Sequence, residues 1–366
     1  MTPFSLQLSP CGSTEHLTDL RQFAQLNLPV PHSYASWPLH GPEQQWLWVR
    51  AVDPADRLLM AFAVELRNSR ALPGMRIARI SRMGRALHDR AAPLAGDILR
   101  ATARKIPRVL RLDVHLFDED SARRERFATA ITTAGGAPSH QQTNYQRTLM
   151  LPLEHSDIEQ LFSSFSSRTR RNLRKTDRQP HLQTAPILSV DYTSRMHQLH
   201  AASFERTTGE APELDVLTML TDASVGNHSL LLGMFDTSRK PPDDLIAFAW
   251  AVNHGDYAVY EHAASERISH ASAIAPGAVI MWQLIRWAHQ RGARWFDMGG
   301  VIPADAPADD PLQGISAFKR GFTRQEVVIA TDFSFTPYPV LQGLINSGRK
   351  IITGSRTITR LPGMAR

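Results

Sequence analysis

Two apolar runs of nearly the same composition stand about 185 residues apart, a spacing that suggests an internal repeat. Leu59-Met60-Ala61-Phe62-Ala63-Val64 returns as Leu245-Ile246-Ala247-Phe248-Ala249-Trp250. A second pair keeps nearly the same offset: Val109-Leu110-Arg111-Leu112-Asp113 and Ala293-Arg294-Trp295-Phe296-Asp297, each led in by a helical stretch. In the first half the pattern predicts a helix over 14–28 and strands over 46–52 and 57–66, turned at Asp53-Pro54-Ala55-Asp56. A strand over 75–81, a helix over 93–105 stopped by Pro107, and a strand over 109–117 follow. A helix over 121–133, closed by Gly135-Gly136, and a strand over 148–153 complete the half.

The second half predicts helices over 156–178 and 194–205, then strands over 230–235, 245–253 and 257–263. A helix over 277–290, a strand over 294–298, a helix over 312–320 and strands over 326–330 and 333–335 follow. Each half thus combines an antiparallel meander with one helix-to-strand crossover. That order is α+β, not doubly wound. The expected division is 1–155, 156–340 and a basic tail, 341–366.

Composition narrows the partners. With 366 residues and 42% apolar content, two cores of ordinary size can form. Cys11 is the one cysteine, so no intramolecular disulfide exists and a reducing compartment is the simple expectation. No apolar run has the roughly 18 residues of a spanning helix, and the first ten residues lack the pattern of a signal peptide. A net charge of +6 and a pI near 9.7 point to a polyanionic partner.

That charge is densest at Arg168, Arg170, Arg171, Arg174, Lys175 and Arg178. On a helix these six fall within an arc of about 160°, with Phe162, Phe165 and Leu173 on the opposite side. Like charges so close repel unless solvent or a phosphate-rich partner screens them. Phe296-Asp297-Met298-Gly299-Gly300 ends a strand in a sharp turn where backbone and ligand can approach. In the segment 314–322, Phe318-Lys319 sets one cation among apolar residues and glycines. Such a lysine either stabilises a developing oxyanion or extends its head to solvent from a helix end. His254, His262 and Glu261 are candidate proton acceptors near strand ends. His197 and His200 lack metal-ligand partners in sequence, and no metal or cofactor is expected.

Taken in order, these residues resemble the Fem family, transferases that use aminoacyl-tRNA and consist of two tandem acetyltransferase-like (GNAT-type) domains. The matching stretches are 168–175, 287–292, 296–300 and 314–322, with 33–37, Arg82 to Asp89, 110–113 and 142–149 in the first half. The resemblance implies transfer of an amino acid to an amine on the stem peptide of a nucleotide- or lipid-linked peptidoglycan precursor. It gives Lys319, with Phe318, the catalytic position, and places Asp113, Arg82, Trp37 and Asp297 at the substrate. The basic helix would meet the phosphates of tRNA or acceptor, in the cytoplasm and peripherally at the inner face of the membrane. This sequence departs from the family pattern after Trp37, where His40 stands near the usual basic residue, and at Arg82-Met83-Gly84-Arg85, which lacks the usual proline. An acyl-CoA-dependent N-acyltransferase is the alternative, although 266–277 offers only Gly277 to cradle a pyrophosphate. A basic nucleic-acid-binding module is a third reading, which leaves Phe318-Lys319 without a role.

Overall fold

The computed structural model describes residues 3–25, 46–70, 72–83, 89–118, 120–139, 145–154, 157–206, 209, 211–224, 229–253, 257–266 and 274–339. Trp37, His40, Gly84, Arg85, His254 and the tail 341–366 lie outside them, as does the side chain of Arg82.

The first half runs β1 (Ser5–Pro10), α1 (Thr14–Gln25), β2 (Trp46–Val52), β3 (Leu58–Asn68) and β4 (Arg76–Met83). It continues with α2 (Ala95–Lys105), β5 (Val109–Phe117), α3 (Ser121–Thr133) and β6 (Ala137–Pro138). Next come β7 (Arg147–Pro152), α4 (Ile158–Ser164), α5 (Ser167–Asp177), β8 (Leu182–Pro186), α6 (Thr193–Glu205) and α7 (Val216–Ser224). The second half closes with β9 (Ser229–Asp236), β10 (Leu245–Asn253), β11 (Tyr257–Ser265), α8 (Pro276–Gln290) and β12 (Trp295–Gly300), then α9 (Gln313–Arg320), β13 (Glu326–Val328) and β14 (Ala330–Phe335).

These strands form two seven-stranded mixed sheets of matching plan, and the fold is α+β. The first sheet has the order β1-β2-β3-β4-β5-β14-β6; the second, read the same way, is β8-β9-β10-β11-β12-β7-β13. Four antiparallel strands lead in each sheet to one parallel pair, β4–β5 or β11–β12. The two similar apolar runs lie on the corresponding strands β3 and β10. Asp113 and Asp297 occupy the corresponding strands β5 and β12, each in register with the parallel neighbour, at Arg79 and Val259.

The sheets exchange strands. β7 follows the first half in sequence but pairs with β12 and β13 in the second sheet. β14 follows the second half but lies between β5 and β6 in the first. The two crossings touch where the backbone carbonyl of Gln146 accepts the N–H of Ile329 at 2.9 Å, and Phe117, Met150, Tyr257, Val259 and Ile329 pack together at the junction.

Core burial follows the period of each element. On α2 and α3, Ile98, Leu99, Phe127 and Ile131 recur at helical spacing and are buried against Phe62 and Val114 of the first sheet. Each such side chain contributes roughly 1.5–3 kcal/mol by leaving water, which fixes the faces these helices turn inward. The helices cross so closely that a Cβ on Gly96 would lie 2.1 Å from the carbonyl oxygen of Ala130. The second sheet is covered on both faces: α8 packs Met281 and Leu284 on one, while α6 and α7 pack Leu199 and Met219 on the other.

The single helix expected over 156–178 is two. A capping box at Asp157 and Gln160 starts α4, and Phe165 breaks out into extended backbone. Ser166 then caps α5 by accepting the N–H of Thr169, so a new N-terminus forms where the basic run begins. β1, β8 and α7 are additional to the predicted elements.

Candidate active site

The parallel pair β11–β12 stays in register only from Tyr257↔Trp295 to Val259↔Asp297. Beyond that point β11 runs on against β10 to Ser265, and β12 turns toward β7. The opening left by the splayed strands holds a cavity of about 520 Å3, with the start of α8 on one side and α9 on the other. The corresponding pair in the first sheet does not open in this way: β4 and β5 are paired from Arg76↔Val109 to Met83↔Leu116, with two register shifts.

Lys319 and Phe318 both line this cavity. α9 is short, and its buried stripe comes down to Ser316 and Lys319, three positions apart. Phe318 anchors the helix edge-on against Phe322, which packs on Phe165, so the loop to α5 and the helix end are one aromatic cluster. Lys319 therefore enters the protein instead of reaching solvent, at 8% exposure. Its Nζ donates to the carbonyl of Gly300 at 2.8 Å. An ammonium has three N–H groups, so two remain without a partner among the described residues. Burial pushes the lysine pKa down to about 8, while the charge of Asp297 acts to raise it.

Asp297 is fully buried and holds the turn that carries Gly300. One carboxylate oxygen accepts the Gly299 N–H at 2.7 Å and the hydroxyl of Thr148; the other accepts Tyr257 at 2.5 Å and Tyr145 at 3.2 Å. Gly299 has φ +75°, a conformation that side chains rarely adopt, and an added Cβ would fall 3.4 Å from Lys319 Nζ. Tyr145 and Thr148 come from the segment that crosses into the second sheet, so the exchanged strand helps position the lysine's acceptor.

Asp113 stands on the other sheet. It is 5% exposed, with Arg111 Nε 2.7 Å from its carboxylate. Burial raises its pKa, and the neighbouring Arg111 and Arg79 pull it back. Further along β5, His115 Nδ1 lies 2.9 Å from Asp332 of β14, both fully buried, and Gln146 reaches the same aspartate at 3.2 Å. This buried polar row, absent from the sequence-level candidates apart from Asp113, emerges only when β14 is placed beside β5.

The basic run divides into two rows. Arg170 donates to the carbonyls of Ser163, at 2.6 Å, and Phe165, at 2.5 Å, and so caps the C-terminus of α4. Arg174 lies 5.2 Å over the ring of Phe162. Arg168, Arg171, Lys175 and Arg178, spaced three or four apart on one face, are exposed and have no ion-pair partner among the described residues. The helix ends at the cavity rim, where Thr176 Oγ1 accepts the N–H of Ala275 at 3.4 Å.

His200 is buried beside the ring of Phe204, and burial lowers its pKa; the like charges of His262 and His197 act in the same direction. No group of three His, Cys, Asp or Glu residues that could hold a metal is present among the described residues.

The fold and this cleft define a tandem GNAT-like protein. Residues 163–320 match the family model described as acetyltransferase (GNAT) domain, a span from α4 to α9 that includes the whole cleft. Over 90% of this chain and 98% of the other, the structure is similar to the crystal structure of FemX, with a TM-score of 0.69 at 13% identity. It is also similar to L-PGS from Bacillus licheniformis (TM-score 0.49, 11% identity, 92% and 97% covered). A tandem GNAT protein from the clavulanic acid biosynthesis pathway matches with a TM-score of 0.47 at 13% identity (91% and 99% covered). At these identities the likeness is one of fold. Among curated proteins, none matches this chain in sequence.

Proposed function

We propose that this protein is an acyltransferase that moves an amino acid from aminoacyl-tRNA to an amine of a peptidoglycan-precursor stem peptide. The observation that carries the reading is the buried Lys319, held by Gly300 with two N–H groups unpartnered among the described residues, in the wall of the splayed cleft. In the reaction the acceptor nitrogen attacks the ester carbonyl, the carbonyl oxygen becomes an oxyanion, and the C–O bond to the ribose then breaks. The ribose oxygen leaves with the proton released by the amine. Aminolysis of an ester needs positioning and charge stabilisation more than a protein nucleophile. Lys319 supplies the charge, and Phe318 fixes the helix that presents it.

Asp297 acts at one remove, by holding the turn whose carbonyl orients Lys319. Asp113, with Arg82 and Trp37, serves the acceptor side in this reading, Asp113 orienting the amine. The row Arg168, Arg171, Lys175 and Arg178, supported by Arg170 and Arg174, meets phosphates of the tRNA or of the acceptor's diphosphate. Residues 1–155 and 156–340 are then two units, each completed by a strand of the other, followed by the basic tail 341–366. A cytoplasmic protein in peripheral contact with the membrane fits a lipid-linked acceptor, and no described helix is long and apolar enough to cross a membrane.

An acyl-CoA donor is the second reading, favoured by the acetyltransferase family match and by α8 beginning at the cavity with Pro276-Gly277. Incubation with charged tRNA pools and with acetyl-CoA, each with nucleotide- or lipid-linked stem peptide, decides between them. Consumption of the tRNA ester and aminoacylation of the peptide is the expected result. Consumption of acetyl-CoA alone selects the second reading.

A further inference from the structure

The cavity changes character from floor to mouth. Its floor is apolar and buried: Phe248 and Ile280 are each 1% exposed, and Ala249 has no exposed surface. Half-buried aromatic rings, Phe204, Tyr260 and Phe318, stand above that floor. The lining carries two cationic side chains, Lys319 in the wall and Arg206, exposed at the edge and donating to the Ser265 carbonyl at 3.0 Å. Among the described residues no carboxylate belongs to the lining. Asp297, behind Lys319, has both oxygens engaged, and Glu266, at the end of β11, pairs with Arg195 and Arg239.

From this we infer that the group transferred has a large, uncharged, apolar side chain, and that cationic groups are refused. The inference rests on the donor reading of the cleft given above. An apolar side chain placed on this floor leaves water, a gain that grows with its area. A lysyl or arginyl side chain would bring its charge toward Lys319 and Arg206 with no counter-ion among the described lining residues, and an unpaired charge out of water is costly.

Direct binding tests this independently of turnover. Hydrolysis-resistant leucyl and lysyl amides of 3′-amino-adenosine form one arm; octanoyl- and acetyl-coenzyme A form the other. Each is titrated calorimetrically against the full chain. The expected result is that the leucyl compound binds at least about tenfold tighter than the lysyl one. A preference for octanoyl over acetyl, without nucleoside binding, would keep the apolar specificity and assign it to a thioester. Equal or tighter lysyl binding overturns the inference, and so does binding of none of the four. Binding with the leucyl preference but no transfer to any stem peptide would sink the proposed reaction and leave the specificity standing.

Two variants sharpen the result. Ala263→Glu sets a carboxylate on the half-buried wall and should raise lysyl relative to leucyl affinity about tenfold. Arg206→Ala, at an exposed position, should reduce the leucyl preference severalfold. An unchanged preference in both variants, each with a normal melting temperature, overturns the electrostatic half of the argument.

Discussion

Lys319 is a cation taken out of water at the point where the proposed reaction develops negative charge. Replacing it by methionine keeps the length and apolar bulk of the side chain. Turnover should fall by roughly 10²–10³, the scale of losing one oxyanion donor, with donor affinity little changed. Normal turnover in a folded Lys319→Met protein would remove the lysine from the chemistry. Its lowered pKa gives the pH profile a direction. Above about 8 the ammonium loses its proton, so activity carried by its charge declines there. Stability moves oppositely. An unfolded lysine titrates near 10.4, so between about 8 and 10.4 the unfolded chain binds more protons than the folded one, and this residue's contribution rises with pH. The melting temperature of wild type minus that of Lys319→Met should therefore become more positive from about pH 7 to about pH 10. A difference that is flat with pH would show that folding leaves the pKa of this lysine unshifted.

At the scale of elements, α5 carries two sets of cations with different work to do. Removing Arg168, Arg171 and Lys175 together should leave the melting temperature nearly unchanged, since all three are exposed. Binding to RNA should weaken, and the logarithmic salt slope should fall by about 2–3, near one unit for each phosphate no longer neutralised. An unaltered slope would make the row a solvated face. Arg170→Ala should do the reverse, lowering stability by about 1 kcal/mol through the uncapped α4 carbonyls while the salt slope persists. Between α2 and α3, Gly96→Ala should destabilise by roughly 1–3 kcal/mol, because the helices must separate to admit one methyl group. Urea unfolding measures both. The strands β3 and β10 and the helices α2 and α8 were legible in sequence because each has a long apolar period between clear stops. β8 and α7 were not: Leu182 to Pro186 is short and half-exposed, and Val216 to Ser224 spans only nine residues, too few for its apolar period to stand out even though Asp215 caps it. The break at Phe165 was equally hidden, since the apolar and basic periods run through it and only the Ser166 cap divides them.

For the whole molecule, the repeat was readable as a pattern and the strand exchange was not. β7 and β14 each carry a buried polar residue, Thr148 and Asp332, whose partners Asp297 and His115 are far away in sequence, so their places follow from a long-range choice of neighbour. The site shows the same division. Phe318 and Lys319 stood out through local setting, whereas the grip of Tyr145 and Thr148 on Asp297 depends on that exchange. Neither half should then be self-sufficient. Residues 1–155 alone lack β14 and should show no cooperative thermal transition, while co-expression with 156–366 should restore one. A fragment 1–155 that melts cooperatively would show the first sheet to be independent of the strand it receives.

The exchange also sets a timetable for synthesis. β5 leaves the ribosome with its place beside β14 vacant, and β14 is made more than two hundred residues later. At about 5–20 residues per second, that edge waits on the order of ten to forty seconds for its partner. For that interval the newborn first half carries an open strand edge to which any other extended chain can pair, so the time of greatest danger for this protein falls before its last strand is translated.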